Sequence, residues 1–308
     1  MLYRKIIINP GDGIFHDVAS LKAPKKTSRR IHIILFVLTV ISTIAAGAFL
    51  ETGLNPYASF AVFLKGIPFS ATLLSILGVH EFAHYFTARY WGIRVTLPYF
   101  IPAPITPIGT FGAVIKMKSA IPSRRALIDV GFSGPIAGFV VAVAACIIGL
   151  LMSEIGTTPA IQPAGSIFLG ESLLFKGLGY LVFGSLPDTS VINLHAVAFA
   201  GWIGLFVTAL NLLPIGQLDG GHVLFALSPK LHTLITRLKF PLLLLMGLTF
   251  WSGWYVWAFL SFFFGRKHPY PDRMDSQLGP LRTLYATLAI ILLILCFMPS
   301  PIQISEAL

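Results

Sequence analysis

The sequence IPFSATLLSILGVHEFAHYFTA, residues 67–88, decides the fold of this chain. The segment is apolar almost throughout, and as a helix it is long enough to cross the hydrocarbon core of a bilayer, which is about 30 Å thick. Three ionisable side chains, His80, Glu81 and His84, interrupt its second half. Ionisable groups at membrane depth cost several kcal/mol each unless they have partners, so their presence here indicates a functional site.

His80, Glu81 and His84 form an HExxH pattern. Residues four apart on a helix project from one face about one turn apart, so both imidazoles can reach one tetrahedral Zn²⁺ ion. The Glu81 carboxylate is then placed to take a proton from a zinc-bound water, whose pKa the metal lowers from about 15.7 to roughly 7. The motif therefore predicts a zinc site with Glu81 as the catalytic base.

The composition indicates a membrane protein. Hydrophobic residues make up 56% of the chain and charged residues 11%, and the mean hydropathy is +0.82. These values are far from those of a soluble domain, so the sequence predicts an all-α polytopic membrane protein with about six transmembrane helices. The expected spans are Ile31–Leu50, Ile67–Ala88, Ala126–Met152, His195–Leu213, Phe240–Gly265 and Leu281–Met298.

These spans make one transmembrane domain, residues 31–298. A basic cytoplasmic tail, residues 1–30, is expected before it, and a short tail, residues 299–308, after it. The basic tail is longer than the n-region of a usual signal peptide, so we interpret the first span as an uncleaved anchor.

The net charge of +10 is explained by membrane topology. Lys and Arg residues collect in residues 1–30 and in the loop Gly92–Arg125, whereas the loop Ser153–Leu194 contains one Lys. The positive-inside rule places the first two segments on the inner side of the membrane and the third on the outer side. Because the charge is not concentrated on one soluble face, nucleic acid is not an expected partner.

The expected fifth span, Phe240–Gly265, has basic residues on both flanks. A straight span would export a basic loop, against the positive-inside rule. A re-entrant hairpin turning near Ser252-Gly253 would keep both flanks inside and leave residues 299–308 outside, but each of its arms would be short. The sequence leaves both arrangements open.

A catalytic zinc usually has a third protein ligand, and Asp219 is the best candidate. It lies in the stretch NLLPIGQLDGGH, residues 211–222, at the inner end of the expected fourth span. Pro214 and the glycines at 216, 220 and 221 should break the helix there and turn a carboxylate inward. A plain loop carboxylate after a helix end is the alternative for Asp219 taken alone.

Together, the two motifs resemble those of the site-2 protease family of intramembrane zinc metalloproteases, HExxH and NxxPxxxxDG. Asn211, Pro214, Asp219 and Gly220 fill the second pattern. The resemblance implies one Zn²⁺ per chain, held by His80, His84 and Asp219, with Glu81 as the base. Segments between the motifs, such as LPYFIP at 97–102 and GPIAG at 134–138, are similar to the subgroup without a PDZ domain, which includes chloroplast members and bacterial relatives.

A protease that cleaves a transmembrane helix must unwind it and offer hydrogen-bond partners to the freed backbone. The stretch Ile108–Lys118 contains Gly109 and Gly112, followed by alternating apolar and basic residues, which predicts a short strand or hairpin near the site. The family resemblance likewise implies a short re-entrant β-loop that engages substrate. A plain cytoplasmic turn is the alternative for the two glycines.

Several other polar residues have two interpretations. The Asn211 amide could steady the oxyanion or bind substrate backbone, or it could cap a helix end. His222 could partner the metal but is more simply structural. Asp129 is expected to pair with Arg124 or Arg125 rather than to act in chemistry.

The outer segment Glu171–Leu186 has apolar residues at helical spacing, which suits a helix on the membrane surface or an ordinary loop helix. Gly134 and Gly138 form a small-xxx-small face that would bring the third span against the two metal-bearing spans.

The leading hypothesis is an intramembrane zinc endopeptidase acting on a transmembrane protein, expected to be single-pass. The alternative is a zinc-binding transporter or scaffold without hydrolysis, in which Glu81 would have no assigned role. The N-terminal tail lacks the Ser- and Arg-rich character of a transit peptide, which favours a bacterial inner membrane with the N-terminus in the cytoplasm. The sequence gives neither the substrate's identity nor the oligomeric state.

Overall fold

The computed structural model describes residues 28–157, 167–187, 189–264, 271–274 and 277–304. Most of the predicted N-terminal tail, residues 1–27, and the last four residues of the C-terminal tail, residues 305–308, therefore lie outside the described residues. The helices are α1 (Arg29–Thr52), α2 (Phe60–Leu64), α3 (Ile67–Tyr90), α4 (Arg124–Leu151), α5 (Leu173–Phe183), α6 (Ala196–Leu212), α7 (Asp219–Leu227), α8 (Pro229–Thr249), α9 (Gly253–Phe264) and α10 (Gly279–Cys296). The strands are β1 (Tyr99–Pro102), β2 (Thr110–Val114), β3 (Glu154–Thr157), β4 (Ile167–Leu169), β5 (Ser190–Asn193) and β6 (Ile302–Ile304).

Long apolar helices dominate the part of the chain that the structure describes. Five segments there are long and apolar enough to cross a membrane: Arg29–Thr52, Phe60–Tyr90, Arg124–Leu151, Pro229–Thr249 and Gly279–Cys296. The apolar helix α6 is shorter, with 17 residues, and spans roughly 26 Å at 1.5 Å per residue. The predicted class, an all-α polytopic membrane protein, is confirmed.

Of the two arrangements that the sequence leaves open for Phe240–Gly265, the structure has the hairpin, although its first arm does not start at Phe240. Helix α8 begins earlier, at Pro229, and the chain turns at 250–252 into α9, so the two helices form a hairpin. The turn lies at the outer end of α10, where the Ser300 hydroxyl donates to the Phe250 carbonyl (3.0 Å). The chain that follows returns to the inner end, where the Asp272 N–H donates to the Ile121 carbonyl (3.0 Å). A hairpin keeps both basic flanks on one side, as the positive-inside rule requires.

Helix α4 lies at the centre of the bundle and packs against α3, α6, α7 and α10. Small residues let its neighbours approach closely. At Gly149 an added methyl group would overlap the backbone of Ala198 on α6, and at Gly201 on α6 it would lie 2.8 Å from the Cys146 sulfur. The main apolar cluster fills the space among α3, α4 and α6, and it includes Phe69, Leu73, Cys146 and Leu205.

The predicted strand in Ile108–Lys118 is present as β2, which pairs antiparallel with β1. Strand β1 was not predicted, because Pro98 and Pro102 break the pattern of a strand. The β1 side of the hairpin faces α1, where the His32 Nδ1–H donates to the Pro98 carbonyl (3.1 Å). Proline can occupy this edge because no further strand needs its amide.

The outer loop and the segment after α10 form two small two-stranded sheets at the outer end of the bundle. Strands β3 and β5 pair antiparallel, and β4 pairs with β6. The second pairing puts β6 on the same side as the outer loop, as the hairpin arrangement predicts. The helix expected in Glu171–Leu186 is α5, and its buried residues Phe175 and Leu178 join the main apolar cluster.

Candidate metal centre

Helix α3 carries His80 and His84 on one face, as their spacing predicts. Their Nε2 atoms are 3.1 Å apart, and the rings meet edge to face with centroids 4.7 Å apart. Both side chains are buried, with 6% and 5% of their surface exposed. Two imidazoles therefore direct their Nε2 atoms at one point inside the bundle.

Asp219 completes this group from the first position of α7. Its Oδ2 atom lies 3.2 Å from His84 Nε2 and 3.4 Å from His80 Nε2. The chain between α6 and α7 breaks at residues 213–218, as the proline and glycines predict. Gly220 packs directly on the Leu212 carbonyl, where an added methyl group would overlap. A carboxylate at the first turn of a helix is also favoured by the helix dipole.

The three donor atoms have the spacing of a tetrahedral metal site. His80, His84 and Asp219 each offer one ligand atom, and these atoms lie within 4.8 Å of one another. Zinc bonds of about 2.0–2.2 Å in tetrahedral geometry place neighbouring donors roughly 3.3–3.5 Å apart. The observed separations of 3.1–3.4 Å match this value. The donor set thus fits zinc, with the fourth position left for water or substrate.

Helix α4 fixes the orientation of the second histidine. His84 Nδ1 lies 2.8 Å from the Val130 carbonyl, so Nδ1–H donates and the Nε2 lone pair faces Asp219. Such partners set the tautomer of metal-binding histidines. Gly134 and Gly138 lie against His84 and His80, respectively, as the small-xxx-small face predicts. Sequence reasoning could not find Val130, because its contribution is a backbone carbonyl, which every residue type has.

Glu81 lies beside the donor group without belonging to it. Its Oε1 atom is 4.0 Å from His80 Nε2, and the side chain is buried. The backbone of Ile115, immediately after β2, lies close to the Glu81 carboxylate. The carboxylate therefore lies between the metal donors and the β-hairpin. From there it can exchange protons with a molecule that contacts both the metal donors and the hairpin.

Asn211 also reaches the centre, from the last turn of α6. Its Nδ2 atom is 3.5 Å from His80 Nε2, and the side chain is half-buried. This position agrees with a role near the reacting atoms. His222, by contrast, is buried against Gly131 of α4 and lies outside the donor group.

The two glycines of the β-hairpin lie outside the metal centre. Gly109 has a φ of +76° and packs on the Ser42 backbone of α1, where an added methyl group would overlap. The Ser42 hydroxyl donates to the Gly109 carbonyl (2.7 Å). Gly112 has a φ of +94° and open space around it. Gly109 lies in the turn before β2 and fastens it to α1, whereas Gly112 lies within β2.

The predicted pairing of Asp129 with Arg124 or Arg125 is wrong. Arg282 at the start of α10 binds Asp129 through two hydrogen bonds, at 3.0 and 2.9 Å, and the Trp91 indole N–H adds a third at 3.2 Å. Arg124 instead donates to the Ala226 and Leu227 carbonyls at the end of α7. Arg282 lies 153 residues from Asp129, and the Ala226 carbonyl lies 102 residues from Arg124, so local spacing could not reveal these partners.

A family model described as peptidase family M50 matches residues 68–250. The chain belongs to peptidase family M50. The matched region begins with α3 and ends just after α8, so it includes all three donor residues, Glu81 and Asn211. The candidate metal centre therefore lies within the part of the chain that matches M50 peptidases.

Two plant proteins are among the curated relatives that the chain resembles. The chain is 32% identical over 216 residues to "Probable zinc metalloprotease EGY2, chloroplastic" of Oryza sativa subsp. indica, covering 69% of this chain and 38% of the relative. It is 30% identical over 251 residues to "Probable zinc metalloprotease EGY1, chloroplastic" of Arabidopsis thaliana, covering 78% and 44%. The chain thus spans about two fifths of the length of these curated relatives. No solved structure matches it.

Proposed function

We propose that this chain is a zinc endopeptidase that hydrolyses peptide bonds in transmembrane segments of other membrane proteins. The observation that carries the proposal is a buried His80, His84 and Asp219 donor set with the non-ligand carboxylate of Glu81 beside it. A zinc ion held by the three donors supplies a Lewis acid that polarises a carbonyl and makes water more acidic. The family match and the names of the relatives support this proposal.

Glu81 is the acid–base group of the proposed reaction. It takes a proton from the water that attacks the scissile carbonyl carbon, and it passes that proton to the amide nitrogen as the C–N bond breaks. Its burial and its distance from the donor atoms suit this task, because the carboxylate is close enough to exchange protons but is not used as a ligand.

Strand β2 offers a way to hold the substrate in an extended form. It pairs with β1 along one edge only, and no other described strand pairs with it. An unwound substrate segment can add to the second edge and recover the backbone hydrogen bonds it lost from its helix. Because the chain just beyond β2 contacts Glu81, a segment added there passes close to the metal donors.

Asn211 is proposed to donate a hydrogen bond to the carbonyl oxygen as negative charge develops on it. We expect Asn211→Ala to lower kcat by about 10²–10³-fold, the usual cost of losing one such donor, while zinc content stays unchanged. Cleavage kinetics and metal analysis on the same preparation measure both quantities. Thr208→Val, which changes a buried residue one turn earlier on α6, should leave kcat near the wild-type value. Loss of zinc from Asn211→Ala would contradict this role.

We further propose a single-pass membrane protein as the substrate and a bacterial inner membrane as the location, with the N-terminus in the cytoplasm. The depth of the metal centre within the apolar bundle supports a substrate in the bilayer. The basic residues of segment 1–30 support the cytoplasmic side for that segment.

The proposal is tested with purified protein in lipid vesicles that contain a single-pass model substrate. Wild type should bind about one zinc per chain and cleave the substrate. Asp219→Ala should lose most of the zinc and all detectable cleavage, because two donors hold the ion far less tightly than three. Chelation should abolish wild-type activity, and added zinc should restore it. Uptake of zinc into the vesicles without any cleavage of the substrate would instead favour a transporter.

A further inference from the structure

Helix α8 contributes few buried side chains to the bundle, and His232 is one of them. Only His232, Lys239 and Leu243 are buried along its length. His232 is 3% exposed, and its Nε2–H donates to the Gly216 carbonyl (2.8 Å). One turn later, the Thr236 hydroxyl accepts from the Gly216 N–H (3.2 Å). The side chains of His232 and Thr236 therefore hydrogen-bond both the carbonyl and the N–H of Gly216.

Gly216 lies in the broken segment that leads to Asp219. Its φ of +56° is in the left-handed region, which suits glycine. The segment beyond it is tightly turned, since the Leu218 N–H donates to the Ile215 carbonyl (3.2 Å) and the His222 N–H donates to the Leu218 carbonyl (2.9 Å). A shift of Gly216 is therefore passed on to the start of α7, where Asp219 projects its carboxylate.

The rest of α7 is fixed by other contacts. The His232 ring meets the Phe225 ring edge to face, with centroids 5.3 Å apart. At the far end of α7, Arg124 holds the last carbonyls of the helix. The Gly216 contacts of His232 and Thr236 therefore lie at the end of α7 that carries the metal ligand. The Phe225 contact of His232 and the hydrogen bonds of Arg124 lie towards the other end.

We propose that His232 and Thr236 are positioning residues of the metal centre, which hold Gly216 so that Asp219 stays within reach of the ion. Ligand positions must be held to about 0.5 Å for a working site. Losing the partners that hold a ligand typically weakens metal binding by 10–100-fold. The inference rests on the metal centre and is independent of which substrate the protein cleaves.

The test is metal binding by the full-length protein in detergent micelles. His232→Leu removes the donor to Gly216 and should weaken zinc binding by about tenfold or more. His232→Gln should restore most of the affinity, because the glutamine side-chain amide can donate to the same carbonyl. Thr236→Val keeps the side-chain shape and should give a smaller loss. Competition with a chelator measures the zinc Kd, and the visible absorption of the Co²⁺-loaded protein reports the ligand geometry.

His32→Leu is the matched control, because it also removes a buried imidazole that donates to a backbone carbonyl, here that of Pro98. It should lower the Tm to a similar extent while leaving the zinc Kd and the Co²⁺ spectrum unchanged. Equal losses of affinity in His32→Leu and His232→Leu, an unchanged Kd in both His232→Leu and Thr236→Val, or no rescue by His232→Gln would each overturn the proposal. None of these measurements depends on cleavage, so a failed protease assay leaves the result interpretable.

Discussion

Glu81→Gln is expected to keep its zinc and to lose at least 99% of its peptidase activity. Glutamine has nearly the same shape as glutamate, but its amide cannot take a proton from water. General acid–base groups usually contribute 10²–10⁴-fold, which corresponds to about 2.7–5.4 kcal/mol in the activation free energy. The zinc donors are the side chains of His80, His84 and Asp219, so metal binding should not depend on the exchanged group.

Cleavage of a single-pass substrate and zinc content should be measured on the same preparations of wild type and Glu81→Gln. Asp219→Ala serves as the comparison, since it should lose zinc and activity together. A Glu81→Gln protein that cleaves at the wild-type rate would refute the acid–base assignment. A Glu81→Gln protein that loses its zinc would instead make Glu81 part of the ligand set.

Gly134→Ala is expected to have the second large effect, although it adds only one methyl group to an apolar helix. The added carbon would overlap the Nε2 atom of His84, which is the atom that would bind the metal. The histidine cannot retreat easily, because its Nδ1–H is held by the Val130 carbonyl. Overpacking usually costs 1–3 kcal/mol, and here the strain is relieved by moving a ligand. We expect zinc content to fall from about one ion per chain to a small fraction.

Gly78→Ala is the matched control for this substitution. Gly78 is also a helical glycine close to the site, but the nearest atom to an added methyl group, in the Phe100 ring, is 3.9 Å away, which is ordinary contact. Metal analysis should find normal zinc in Gly78→Ala and little in Gly134→Ala, while circular dichroism shows similar helix content in both. Normal zinc content and activity in Gly134→Ala would mean that α4 packs less closely on His84 than the structure indicates.

The sequence predicted those parts of the site that depend on local spacing. His80 and His84 are one helical turn apart, and Pro214 with its neighbouring glycines marks the break that presents Asp219. Hydropathy located the membrane helices for the same reason, because each helix is an uninterrupted run of mostly apolar residues. Two observations placed the two motifs at one site. Both motifs lie toward the inner ends of their expected spans, and together they resemble the motifs of one family.

Long-range contacts were not predictable in this way. Arg282 pairs with Asp129 across 153 positions, and backbone groups such as the Val130 carbonyl leave no mark on the residue type. The turn between α8 and α9 was left open because the positive-inside rule favours a hairpin there, whereas the hydropathy of Phe240–Gly265 is equally compatible with a straight span. Strand β1 was missed because its prolines are tolerated only at an edge covered by α1.

The 135-residue separation between His84 and Asp219 also affects how the protein is made. At the usual 5–20 residues per second of translation, the two histidines precede the carboxylate by roughly 7–27 s. During that interval the nascent chain offers an ion only two of its three side-chain donors. Tight metal loading must therefore follow synthesis of α7, and a ribosome-bound chain that stops before α7 cannot be an active peptidase.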